Sequence, residues 1–219
     1  MPNEGDPAER VRKLLQSYGR TYAQEAGIRM ADQPSPLYQL LVLATLLSTR
    51  ISAGVAVAAA RELFAAGYRT PAAMSEASWQ DRVDALGRGH YRRYDESTAS
   101  TLGDSAGQVV RQYRGDLRRL RAEANGDAKA IAKLLTEFRG IGPTGASIFL
   151  REVQEAWPSV GPYVDDRMTE GARRAGLPAD RGDLAALLAD SGHPARLAAA
   201  LVRLSLTRNP SVDKAAEES

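Results

Sequence analysis

The sequence predicts an all-α protein. Side chains able to cap a helix stand directly before prolines at Asp6-Pro7, Ser35-Pro36 and Thr70-Pro71, apolar residues recur at three- and four-residue spacing, and strand-like alternation is hard to find. Proline suits the first helical position because the N–H it lacks would have no carbonyl to meet there, so each pair marks a helix start. After the second pair, Leu37, Leu40, Leu41 and Ala44 define a helix from Pro36 to Leu47, and Val55, Val57, Ala60 and Leu63 carry the spacing into the next segment. Further helices are expected from Trp79 to Leu86, Ser97 to Tyr113, Ala128 to Phe138, Thr144 to Glu155, Arg167 to Ala175 and His193 to Leu206. Pro36 to Leu47 is the most continuously apolar of these, which places it at the centre with the others around it.

With 219 residues, 43% of them hydrophobic and 26% charged, the chain has the composition of a globular protein with a real core. No apolar run approaches the roughly 20 residues that span a bilayer, and MPNEGDPAER lacks both a basic flank and an export segment, so a cytoplasmic location is expected. The absence of cysteine excludes disulfides, thiol nucleophiles and cysteine-held metal clusters. Only His90 and His193 could offer imidazole, too few for a site built on several of them, so neither metal nor cofactor is expected. A net charge of +2 says little about partners, but arginine concentrates at Arg88, Arg92 and Arg93 and again from Arg111 to Arg121. The second cluster reads as an exposed helical face rather than a binding track.

The informative stretch runs from Leu134 to Leu150, where two amphipathic segments flank Arg139-Gly140-Ile141-Gly142-Pro143. Two glycines around one apolar residue let the backbone turn sharply and approach another chain closely, while Ile141 anchors the turn in the core. Amides leading into a helix N terminus suit an anion, because unmet donors and the helix dipole both favour negative charge there. A DNA backbone phosphate is the expected ligand.

These residues resemble the helix-hairpin-helix (HhH-GPD) DNA glycosylase superfamily, whose endonuclease III branch carries Leu-Pro-Gly-hydrophobic-Gly-x-x-x-Ala at its hairpin; Gly140, Gly142 and Ala146 fit that form. Downstream, Tyr163-Val164-Asp165-Asp166-Arg167 resembles the family's Val-Asp pair, which makes Asp165 the implied catalytic carboxylate, with Asp166 beside it as the alternative. Upstream, Leu46-Leu47-Ser48-Thr49-Arg50 is similar to the segment whose last residue fills the gap left by an extruded base, a role that falls to Arg50. The similarity spans Pro36 to about Leu177. It implies two helical lobes sharing a cleft: a central lobe at 36–125, the hairpin and carboxylate segment at 126–177, residues 1–35 and 178–208 completing the second lobe, and a polar tail at 209–219.

The chain departs from the pattern in ways that bear on chemistry. Arg139 replaces the usual proline and adds a cation for phosphate, Pro143 removes one N–H, and Thr144 stands where bifunctional members carry their Schiff-base lysine. The branch's iron–sulfur cluster needs four cysteines, so it is excluded. The resemblance thus implies a monofunctional glycosylase that hydrolyses the N-glycosidic bond of a damaged or modified base in base excision repair on double-stranded DNA, with action as a monomer the default expectation. A DNA-binding protein that keeps the hairpin without catalysis is the alternative.

The DNA contacts expected are Arg50, Arg139, Gly140, Gly142, Thr144 and Gly145. Arg88 and His90 join them from the loop Leu86 to Tyr94, whose glycines, aromatics and cations suit phosphate and an unpaired base.

Overall fold

The computed structural model describes residues 6–207, and every regular element among them is an α-helix. The expected tail at 209–219 lies outside the described residues. None of the described helices is long and apolar enough to cross a membrane. The chain divides into two compact units, one formed by residues 22–160 and the other by the segments on either side of it.

The larger unit is built around α3 (Pro34–Leu47), in which every residue from Leu37 to Leu46 except Gln39 is buried. A helix with no polar face must be enclosed on all sides, which is why this segment becomes the centre. Packed on it are α4 (Ala53–Ala65) and α10 (Pro143–Val153). α4 in turn meets α6 (Trp79–Arg88), and α6 and α5 (Pro71–Glu76) both pack on α7 (Asp95–Tyr113). α9 (Ala128–Leu135) lies between α10 and α8 (Arg118–Glu123).

The capping side chains act largely as their positions dictate. Thr70 accepts the Ala73 amide at 3.2 Å, Asp127 accepts that of Ala130 at 2.8 Å, and Asp6 begins α1 (Pro7–Tyr18) by accepting the Ala8 amide at 3.2 Å. Ser35 does not cap. α3 starts at Pro34, two residues before the expected Pro36, and the Ser35 hydroxyl donates instead to the Arg69 carbonyl at 3.0 Å. Both prolines then fall in the first turn, where a missing N–H costs nothing. α7 begins at Asp95 rather than Ser97, and α9 ends at Leu135 rather than Phe138, because Thr136 to Phe138 are taken up in the turn before the hairpin.

The four-residue α2 (Tyr22–Glu25) is too short to persist alone. The buried carboxylate of Glu152 on α10 accepts the amides of Tyr22 at 3.2 Å and Ala23 at 2.8 Å, supplying the partners that its first turn lacks. A partly exposed polar cluster joins the buried Trp157, whose indole N–H donates to Asp32 at 2.9 Å, to Arg121, which pairs with Asp32 at 3.0 Å and lies 5.1 Å over the indole ring.

The smaller unit comprises α1, α11 (Asp166–Arg174), α12 (Arg181–Asp190) and α13 (Pro194–Leu206), with Leu14, Met168, Ala172, Leu184, Leu188, Leu197 and Leu201 in its core. α12, not anticipated from spacing, starts where Asp180 accepts the Gly182 amide at 2.8 Å. The boundary between the units divides both the 126–177 segment and the 1–35 segment, because α10 packs on α3 while α11 packs on α13, and α2 is tied to α10.

α11 and α13 cross at Gly171, where a methyl group would sit 2.0 Å from the Leu201 carbonyl oxygen. Gly171→Ala is expected to lower stability by about 1–3 kcal/mol, as overpacking does. Gly54→Ala on α4, where a Cβ meets nothing within 4 Å, should leave stability unchanged or raised. Urea denaturation of the two variants beside the wild type measures the contrast.

Candidate nucleic-acid interface

The hairpin forms at the expected place. Phe138 is buried with its ring 5.9 Å from that of Tyr113, and the Ile141 amide closes the turn onto the Phe138 carbonyl at 3.1 Å. Gly140 has φ +85°, a left-handed conformation that a side chain resists, and Gly142 is the N-cap of α10 in extended conformation. Ile141 is buried between these two exposed glycines. The corner is packed against both neighbouring helices: a Cβ on Gly140 would lie 2.3 Å from the Thr101 methyl on α7, and one on Gly145 would touch Ile141 and the Ser48 Cβ at the end of α3.

The first turn of α10 has no side-chain cap, and Pro143 brings no N–H. Thr144 is exposed there, whereas Gly145 is buried beneath Ile141. Arg139 is exposed and forms an ion pair with Asp104 on α7, so its guanidinium is already engaged.

Beside Gly140 opens a cavity of about 250 Å³ that Arg50 also lines. Its remaining walls are hydroxyl-bearing side chains: Thr45 and Thr49 from the end of α3, Tyr94, and Ser97, Thr98 and Thr101 from α7. Beneath it the buried Tyr91 hydroxyl donates to Thr49 Oγ1 at 2.9 Å and lies 3.3 Å from Thr98 Oγ1, while Thr49 Oγ1 donates to the Leu46 carbonyl at 2.7 Å. These bonds hold the Ser48-Thr49-Arg50 turn against α7. The sequence singled out Arg50 and Gly140 but not the hydroxyl wall, whose residues lie on two helices far apart in the chain.

Of the loop Leu86 to Tyr94, expected to supply Arg88 and His90 as DNA contacts, only Tyr94 lines the cavity. Arg88 belongs to the last turn of α6 and pairs with Glu62 on α4 at 3.1 Å, and His90 is an exposed turn residue with φ +63°. Tyr91 is fully buried and presents no face for stacking on a base. The arginines from 111 to 121 are partly committed to structure, since Arg121 serves the Asp32–Trp157 cluster and Arg118 binds Asp116. The Arg118 hydrogen bonds hold the Asp116 carboxyl below the usual carboxylate range.

In the smaller unit the two adjacent aspartates have different surroundings. Asp165 is the half-buried N-cap of α11, accepting the Met168 amide at 3.1 Å. Asp166 is almost wholly exposed and bonded by Arg181 at 2.5 Å, and the same guanidinium donates to the Val164 carbonyl at 2.9 Å. Arg181 therefore ties the backbone just before Asp165 to the side chain just after it, a role that no local pattern announced. Among the described residues no three histidine, aspartate or glutamate side chains group as a metal site requires.

No family model and no curated protein matches the chain. Among solved structures it is similar to a trapped endonuclease III–DNA covalent intermediate, an estranged-adenine complex, at 16% identity over 93% of this chain and 90% of that one, with a TM-score of 0.47. A likeness at this level is a similarity of backbone course and decides nothing about activity.

The corner makes a prediction of its own. Gly140→Ala is expected to cost more than the roughly 1–2 kcal/mol strain of a left-handed alanine, because the added methyl also collides with that of Thr101. Gly142→Ala, with open space around the added methyl, should stay within about 0.5 kcal/mol of wild type. Thermal denaturation followed by circular dichroism reads both.

Proposed function

We propose that the chain is a DNA-binding protein of the helix-hairpin-helix glycosylase type, and that it hydrolyses the N-glycosidic bond of a damaged or modified base in duplex DNA. The observation that carries this reading is the corner at Gly140–Gly142, which leads into an uncapped helix beside Arg50 and a hydroxyl-lined cavity. A phosphate oxygen at that corner would meet the amides of Gly142 and Thr144 and the positive end of the α10 dipole. Arg50, exposed at the cavity rim, would fill the space left in the duplex when a nucleotide swings out.

In the chemical step the Asp165 carboxylate stabilises positive charge developing on the sugar and orients or deprotonates the attacking water. Water donates the oxygen that bonds to the anomeric carbon, the base leaves with the electron pair of the broken C–N bond, and the proton lost by the water ends on the departed base. With Thr144 where a nucleophilic amine would stand, no covalent sugar–protein adduct forms and the strand is not cut by that route.

A second reading, a hairpin DNA-binding protein without catalysis, is favoured by one feature: the Asp165 side chain is already engaged as a helix cap. Base release from a panel of single-lesion duplexes separates the two. The enzyme reading expects release from at least one duplex and a rate lower by roughly 10²–10⁴ in Asp165→Asn, with DNA affinity retained. Salt-dependent binding with no release across the panel would establish the second reading. Borohydride treatment on abasic DNA should trap no protein, whereas a covalent adduct would show that an amine operates after all.

A further inference from the structure

At the opposite end of α3 from the hairpin lies a larger hollow of about 650 Å³, lined by Arg29, Arg61 and Arg69 together with Gln33, Gln39, Phe64 and Ala65. No carboxylate side chain is among its lining residues, and none of the three arginines forms an ion pair among the described residues. Guanidinium groups gathered around one concavity repel one another unless an anion sits between them.

We propose that this hollow binds a small phosphorylated ligand of nucleotide size. Two of its arginines are held in place through one nitrogen each: Arg61 Nε donates to the Glu25 carbonyl at 2.6 Å and Arg69 Nε to the Phe64 carbonyl at 2.9 Å. That anchoring fixes the side chains and leaves the outer nitrogens as the fork that matches phosphate oxygens in pairs. Gln39 is oriented too, since its amide donates to Ser35 Oγ at 3.0 Å, and Ser35 Oγ donates to the Arg69 carbonyl. The site rests on these side chains and not on the helix start, because Pro34 and Pro36 remove two amides from the first turn of α3.

Pro36 and Ala65 add an apolar patch beside the cations, with Phe64 all but buried behind them, so the hollow offers both a phosphate end and a small surface for a ring. Its volume falls within the range of about 300–1,000 Å³ typical of small-molecule sites. The 14 residues of α3 put it about 21 Å from the end that carries Ser48, so it is a second site independent of the hairpin. A concavity of this size suits a compact ligand better than the regularly spaced phosphates of a duplex.

Equilibrium dialysis of the full chain against pyrophosphate, ADP and adenosine tests the proposal. ADP and pyrophosphate should bind with dissociation constants in the ~10⁻⁶–10⁻³ M range, and adenosine should not bind measurably. Arg29 makes no hydrogen bond or ion pair among the described residues, so Arg29→Ala should weaken ADP about tenfold without loss of fold by circular dichroism, and Arg29→Lys should retain more of the affinity. Short duplex DNA should not displace ADP. The proposal is overturned if ADP and pyrophosphate fail to bind at millimolar concentration, or if Arg29→Ala and Arg61→Ala both bind ADP as the wild type does. Displacement of ADP by duplex DNA, with Arg29→Ala losing duplex affinity in parallel, also overturns it and assigns the hollow to a polynucleotide. None of these outcomes depends on whether any base is excised.

Discussion

The burial of Ile141 between two glycines at the surface is the constraint on which the hairpin depends. An apolar side chain drawn into the core pulls the backbone before it down onto α7, and at Gly140 only a residue without a side chain can follow it that closely, whereas Gly142 on the other side faces open space. The methyl of Thr101 stands where a Cβ on Gly140 would be, and Ile141 itself covers Gly145. The same close packing brings the hairpin to the end of α3, and so sets Gly140 and Arg50 around one small cavity. Anion affinity at this corner is therefore a by-product of core packing: the amides are exposed because the isoleucine is not.

α3 links this corner to the rest of the larger unit. Buried along its length, it carries the Ser48-Thr49-Arg50 turn at one end and the arginine-lined hollow at the other. In the smaller unit the cap at Asp165 and the Arg181 clamp do comparable work for a single carboxylate. Asp166 is committed to Arg181 in water, while Asp165 is held at the head of α11 by its own cap to Met168 and by the Arg181 bond to the Val164 carbonyl before it. Adjacent residues of identical chemistry thus acquire distinct environments from where the helix happens to begin.

The all-helical fold was legible because its signals are local. Proline at the first helical position, capping hydroxyls and carboxylates, and three-to-four spacing each act within a turn or two, and most helices begin where those residues stand. Ser35 misled because Pro34 precedes it, and two prolines in one turn leave the choice of start to packing. The hairpin was legible for the same reason: Gly-Ile-Gly dictates its own conformation. What escaped the sequence depends on residues far apart in the chain. The Glu152 cap on α2 spans 130 positions, the hydroxyl wall joins the end of α3 to α7, and the Arg181 clamp reaches back 17 residues. Tyr91 looked like a stacking residue because an aromatic among arginines suggests a surface, yet its hydroxyl found two threonines in the interior.

The central claim is that the Gly140–Gly142 corner receives a DNA phosphate. Amide NMR shifts of isotopically labelled protein, followed while a lesion-containing duplex is added, test it most directly. The account predicts that the Gly142 and Thr144 amides move early and strongly, with the Arg50 backbone among the signals that follow. Saturable duplex binding that leaves those amides unshifted would contradict it.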